Sequence, residues 1–409
     1  MPLELRLAWR NVWRNPRRTG LTVAATVFAV VLVMFSVAMG AGTHEKMIED
    51  TVRVNSGHLQ ITGPEYLEKR TLEQYVVYDA ELAARVERAA EVIGHAPRVV
   101  SFGLLSRDSA TRGVAVLGVD PLREPSVTSL PGRVRRGRFL AAEGTGEIVL
   151  GERLAGVLAA ELGDELLLYS VAYSLETAYE LFRVVGIMKL PEANLDRSLA
   201  VISLADAQRF FVYGDRVSEV AVLIREPDAL DSAAVALRNA LDGRAAEVHT
   251  WRDSMPELEQ VIFLDDASMY ILLAILVIVV AFGILNTILM AVLERTREFG
   301  VVLALGLRPR AVFRIVYLES LVLASVGLVI GLAIAFPLVL WLEGHPVPLT
   351  GESAQAMELF GVTPEIIWKL KPKNPIGSSI TVLGVAVLAA LYPAAKASRG
   401  QPVDALRSL

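Results

Sequence analysis

Residues 19–43, 267–293, 320–342 and 374–395 contain no charged side chain. A helix needs about 20 apolar residues to cross the hydrocarbon of a bilayer. A helix of that length also satisfies its backbone polar groups internally. The pattern predicts four spans at 19–43, 267–293, 315–342 and 375–395, split one plus three around a polar insert, residues 44–266.

Inside the insert the period changes. Strands are predicted at 57–62, 75–78, 99–105, 114–117, 199–202 and 217–224, and helices at 79–93, 151–162, 204–211 and 229–241. Asp79 reads as an N-cap, with Leu82, Val86, Ala89 and Ile93 on one face of the helix behind it. The runs 165–171 and 180–188 predict a hairpin. Alternation of helix and strand on both sides of a β-rich centre predicts two subdomains, with residues 120–190 inserted in the other. Segments 43–54 and 253–266 read as helical stalks continuing the first two spans, the second opening on Asp253-Ser254. The fold class expected is an α-helical membrane protein with four transmembrane helices and a large extracytoplasmic α+β domain.

Charge then orients the chain. Residues 1–18, which read either as an amphipathic helix in the headgroup layer or as a basic flank, carry Arg6, Arg10, Arg14, Arg17 and Arg18 against Glu4. The connection 294–314 carries Arg295, Arg297, Arg308, Arg310 and Arg314 against Glu294 and Glu298. The tail 396–409 adds Lys396, Arg399 and Arg407 against Asp404. With four spans these lie on one side, which the positive-inside rule makes the cytoplasm. Loop 343–374 has Lys369, Lys371 and Lys373, offset by four glutamates. The chain is expected in a bacterial inner membrane with both termini cytoplasmic. Span 19–43 is longer than the apolar core of a secretory signal and reads as an uncleaved anchor. The insert has 36 acidic and 24 basic residues, a formal charge near −12 that disfavours nucleic acid.

Composition removes several chemistries. With no cysteine there is no disulfide, thiolate metal site or cysteine nucleophile. None of the seven lysines follows a glycine, so no phosphate-cradling loop of the Walker A kind is present. The five histidines offer no metal pair or triad. No cofactor is expected on this chain, and no catalytic role. The spans hold few polar groups: Asn286 is expected to hydrogen-bond between helices, and Glu319 lies at a span edge.

Three segments carry a family resemblance. Glu294-Arg295-Thr296-Arg297-Glu298-Phe299-Gly300, with Ala304-Leu305-Gly306-Leu307-Arg308, resembles the signature of FtsX-like permeases. Pro393, Ala394 and Ala397, followed by Pro402, Ala405, Leu406 and Arg407, resemble that family's closing motif. Val149 to Ala155, with Leu162-Gly163-Asp164 and with Leu117-Gly118-Val119-Asp120-Pro121, resembles the MacB-like periplasmic core domain. The resemblance implies a type VII ABC transporter permease of the MacB, LolC/LolE and FtsX group. It implies a dimer with a second copy or a paralogue, and ATP and Mg bound by a separate cytoplasmic ATPase. The motif residues Glu294, Arg295, Arg297, Glu298, Gly300, Leu305, Gly306 and Arg308 are the expected ATPase-coupling segment, with charges at its rim setting orientation.

Layout favours a LolC/LolE-like release of lipoproteins or similar amphipaths. The alternatives are a MacB-like efflux permease and an FtsX-like switch for a cell-wall hydrolase. A periplasmic chaperone or adaptor is a further candidate partner. The stretch 172–178 looks too short for the hook by which a LolC-type domain holds its chaperone.

Overall fold

The computed structural model describes residues 10, 12–141, 144–352, 354 and 364–399. In chain order the first elements are α1 (Pro16–Val52), β1 (Leu59–Thr62), α2 (Tyr66–Lys69), β2 (Val76–Val77), α3 (Ala80–Arg88), β3 (Val92–Arg107) and β4 (Ala110–Val119). Next come β5 (Val134–Gly137), β6 (Glu147–Gly151), α4 (Glu152–Val157), β7 (Glu165–Val171), β8 (Thr177–Met188), α5 (Ala193–Ser198), β9 (Leu199–Ser203) and α6 (Leu204–Phe210). Then follow β10 (Arg216–Val217), β11 (Glu219–Ile224), α7 (Leu230–Ala240), β12 (Glu247–Thr250) and α8 (Trp251–Ser254). The chain closes with α9 (Pro256–Glu294), α10 (Thr296–Ala304), α11 (Pro309–Glu343), β13 (Val347–Pro348), β14 (Glu365–Ile366) and α12 (Lys373–Ser398). Two compact units result: a helical one of residues 1–45, 262–348 and 365–409, and an insert unit of 46–261 and 349–364.

In the helical unit, α1, α9, α11 and α12 are each long and apolar enough to cross a membrane. Close approach of α1 to α11 depends on two glycines one turn apart. A Cβ on Gly327 would lie 2.6 Å from the Thr26 Cβ, and one on Gly331 would lie 2.7 Å from the Val30 Cβ. Only a bare backbone fits there, the small-residue seam by which spans pack without a hydrophobic drive. Ile284 and Ile288 of α9 meet Ala324 of α11 and Ala386, Ala389 and Ala390 of α12 in a second seam. Only 11% of the most apolar window of α9 is buried, against 28–39% for the other three spans, so among the described spans its surface is the least covered.

The segment before α12 is strapped to α1. Trp368 is buried against Phe35, ring centroids 5.3 Å apart, and the Lys369 N–H donates to the Ala38 carbonyl at 3.0 Å. A Cβ on Gly42 would stand 2.2 Å from the Ile367 carbonyl. Lys369 and Lys371 both pair with Glu45, at 3.5 and 3.4 Å, and Lys369 also meets Glu343 at 3.8 Å, so two carboxylates balance two of the loop's lysines locally.

The insert unit is built on one ten-stranded sheet in the order β12-β1-β11-β3-β4-β9-β6-β8-β5, with β7 pairing β3 and β8. β3 pairs with β11 near its start and with β7 near its end. The two expected subdomains thus share a continuous sheet. Alternation along the strands sends Val99, Leu105, Val114 and Val116 to one core and Leu117 and Val119 to another.

Asp79 caps α3 as its side chain requires, Oδ1 accepting from the Leu82 N–H at 2.7 Å. The helix expected over 79–93 stops at Arg88, because Glu91 takes a left-handed φ of +70° and Val92 starts β3 opposite Ile224. β-branched Val92 and Ile93 fit a pleated strand better than a helix face. The helix expected over 151–162 likewise ends at Val157, and Ala159 turns the chain at φ +49°. Asp253 does not open the second stalk. It is the third residue of a capping box with Thr250 on α8, and α9 starts afresh at Pro256. The β7–β8 hairpin forms in register from Glu165↔Arg183 to Val171↔Thr177, leaving a loop of only residues 172–176.

Candidate coupling site

The segment after the second span has its shape set by backbone chemistry. α9 ends at Glu294 and α10 runs for nine residues. At its end the Gly306 N–H donates to the Leu303 carbonyl at 3.0 Å and the Leu307 N–H to the Val302 carbonyl at 3.2 Å. With Gly306 at φ +95° this is the paired closure of a Schellman motif, which glycine adopts without Cβ strain. Arg308 then stands at the N-cap and Pro309 at the first position of α11, where a missing N–H costs nothing. The Ala-Leu-Gly motif is thus the stop between two helices, and it fixes their angle.

One face of α10 is fastened down. Phe299 packs with Val292, Val312, Val316, Ala394 and Ala397, so the closing motif on α12 and the signature on α10 meet in one cluster. Arg295 donates from Nη1 to Glu319 of α11 at 2.9 Å and from Nε to Glu298 at 3.3 Å. Its guanidinium lies 5.1 Å from the Phe299 ring centre. Glu298 also receives the Arg14 guanidinium, and that hydrogen bond holds its carboxyl below the usual carboxylate range. Beside Arg295 and Glu319, Thr22, Thr287 and Ser320 line a cavity of about 20 Å³. That is room for one water among polar partners.

The opposite face is apolar and uncovered. Val301, Val302 and Leu307 are exposed, and Leu305 is 82% exposed. Glu294, Arg297 and Arg308 are exposed around them. The helix thus buries one apolar face inside its chain and leaves the other open at the surface.

The sequence-derived site is thereby divided. Arg295 and Glu298, expected at the rim of a docking surface, are turned inward to Glu319 and sideways to Arg14. The exposed members are Glu294, Arg297, Glu298, Leu305, Gly306 and Arg308, and Gly300 is buried against the cluster. Pro393 lies within α12, Ala394 and Ala397 pack against Phe299, and Pro402, Ala405, Leu406 and Arg407 lie outside the described residues, as does most of the N-terminal basic segment. Asn286 is exposed on α9 and, among the described residues, makes no hydrogen bond to another span. Sequence reasoning missed Arg14 and Glu319 as partners of the signature. Their signal was present: each is an ionisable residue within one turn of a span's end.

The insert motifs are architectural. Asp196 of α5 accepts from the N–H groups of Glu152, Arg153 and Leu190 at 3.0–3.1 Å, capping α4 from a distance. A Cβ on Gly151 would come within 2.2 Å of the Asp196 carbonyl, and one on Gly118 within 2.3 Å of the Ala207 Cβ. Asp120 accepts from the Leu122 N–H at 2.9 Å, closing the turn after β4.

Residues 19–240 match the MacB-like periplasmic core domain, and residues 270–402 match the FtsX-like permease C-terminal region. The lipoprotein-releasing system transmembrane protein LolC of Neisseria meningitidis serogroup B is 26% identical over 331 residues, 78% of this chain and 79% of its own. LolE of Haemophilus influenzae is 24% identical over 340 residues, 80% of each chain. The periplasmic region of MacB from Actinobacillus actinomycetemcomitans superposes with a TM-score of 0.36 at 14% identity, covering 53% of this chain and 97% of that one.

Proposed function

Because this chain belongs to the ABC transporter permeases that join a MacB-like periplasmic core domain to an FtsX-like C-terminal region, we propose that it relays ATP hydrolysis by a separate cytoplasmic ATPase to its extracytoplasmic domain, so that lipoproteins or similar amphipaths are released from the membrane. The observation that carries the coupling is α10. Its apolar ridge, Val301 and Val302 with Leu305 at the C-cap, faces outward, while Arg295–Glu319 and the Phe299 cluster tie its other face to α11 and α12. A push on the ridge is therefore passed to two spans. The first two spanning helices run 37 and 39 residues, well beyond the length a bilayer needs, which suits them to act as levers. In this reading residues 294–314 and both termini are cytoplasmic.

The release of amphipaths is supported by the likeness to LolC and LolE. A second permease, copy or paralogue, would cover the apolar surface that α9 leaves open. A chaperone partner would have to dock elsewhere than on the short 172–176 loop.

Co-purification tests the coupling. Leu305→Asp is expected to abolish recovery of the ATPase with the permease while the chain still inserts and folds. Undiminished recovery and normal ATP-driven release would overturn the assignment. Cargo is tested by purifying the native complex and identifying what elutes with it. Enrichment of acylated proteins supports release, and their absence from an active complex excludes it.

A further inference from the structure

The insert unit contains a groove of about 440 Å³ that the coupling reading does not use. Its floor is the face of β3 shared by Arg98, Val100 and Phe102, with Leu117 of β4 continuing it. The floor is apolar at one end and polar at the other, where Gln60 of β1 and Glu219 of β11 stand beside Arg98.

Charge at the polar end is unbalanced. Arg98 is buried and gives two N–H groups to buried Glu124, and its Nη1 reaches Glu219 at 3.3 Å. One buried cation therefore serves two buried carboxylates. Gln60 gives its Nε2 to Glu219, and among the described residues its Oε1 has no hydrogen-bond partner although the residue is only 5% exposed. A buried acceptor without a donor is unfavourable unless a ligand or water supplies one. Arg70, Glu192 and Glu257 on the walls add two acids against one base. The complement of this site is a molecule with a cationic N–H donor at one end and an apolar body, and the volume suits a small ligand.

We propose that the groove binds a monoalkylammonium amphiphile, the ammonium donating to Gln60 Oε1 and to Glu219, and the alkyl chain lying on Val100, Phe102 and Leu117. The site goes beyond the coupling reading and does not rest on it, since it is measured without ATPase or nucleotide.

The test uses the full chain in nanodiscs of zwitterionic lipid, with empty nanodiscs subtracting partition. Hexylammonium, 1-hexanol and hexanoate are the probes, and binding is read by equilibrium dialysis. Hexylammonium is expected to bind saturably and about tenfold tighter than either of the others. Gln60→Leu should erase that preference, and Phe102→Ala, at an exposed position, should weaken all three probes alike. Glu219→Gln should act as Gln60→Leu does. Should it unfold the domain, by circular dichroism, Gln60→Leu alone decides. Equal binding of the three probes, absence of saturation, or a Gln60→Leu chain that binds hexylammonium like the parent would each overturn the proposal.

Discussion

Arg295 Nη1 donates to Glu319 Oε2 at 2.9 Å, and the two side chains are only 14% and 9% exposed. The contact ties the connection after the second span to the third span. Removing one partner takes from a largely buried charge its 2.9 Å ion pair, which costs more than the pair contributes. Arg295→Gln and Glu319→Gln are each expected to destabilise the solubilised chain by about 1–3 kcal/mol. The double variant should recover part of that loss. A double-mutant cycle on thermal unfolding reads the coupling, and additivity within about 0.5 kcal/mol would mean that the two do not interact.

Gly331 is held against Val30 so closely that no side chain fits. Gly331→Leu should push α1 from α11 and lower the melting temperature of the detergent-solubilised chain by several degrees, about 2 kcal/mol or more of overpacking. Gly384→Leu on α12 has open space at the same atom and serves as the control. Equal effects at both positions would exclude the close seam.

Element type was largely legible in the sequence, and interaction partners were not. Freedom from charge marked the spans because the bilayer penalises every charged residue in the same way, wherever the helix packs. Asp79 declared its cap because the capping bond is local, three residues long. The boundary at Arg88 was missed because Val92 answers to Ile224 of β11, more than 130 residues away, while the spacing of Val86, Ala89 and Ile93 also suits a helix face. The coupling signature was visible as a motif. Which of its charges faced outward was not, since that depends on Arg14 and Glu319 from other helices.

Asp196 satisfies three backbone N–H groups with one carboxylate from inside the insert unit. Asp196→Ala orphans all three and should cost roughly 2–4 kcal/mol in urea unfolding of the full chain. Asp196→Asn keeps one acceptor oxygen and is expected to lose about half as much. If alanine and asparagine behave alike, hydrogen bonding at that oxygen pair is not what holds the start of α4.

His58 gives the chain a pH dependence whose sign can be worked out. Burial, with Arg53 nearby, pushes its pKa down to about 4 from an ordinary value of 6.5. Its Nδ1 accepts from the Ile224 N–H at 3.4 Å. The folded state refuses a proton that the unfolded chain takes up between pH 6.5 and 4. Stability is therefore full above pH 6.5 and falls on acidification through that window, by roughly 3 kcal/mol for a 2.5-unit depression. His95 and His249 are also depressed, chiefly by burial, and act in the same direction. His58→Gln keeps an acceptor near Ile224 and removes the titration. Its denaturation midpoint should fall distinctly less than the parent's between pH 7.5 and pH 5. If the two chains lose stability in parallel, the pH dependence belongs to other groups, and burial of His58 contributes nothing to it.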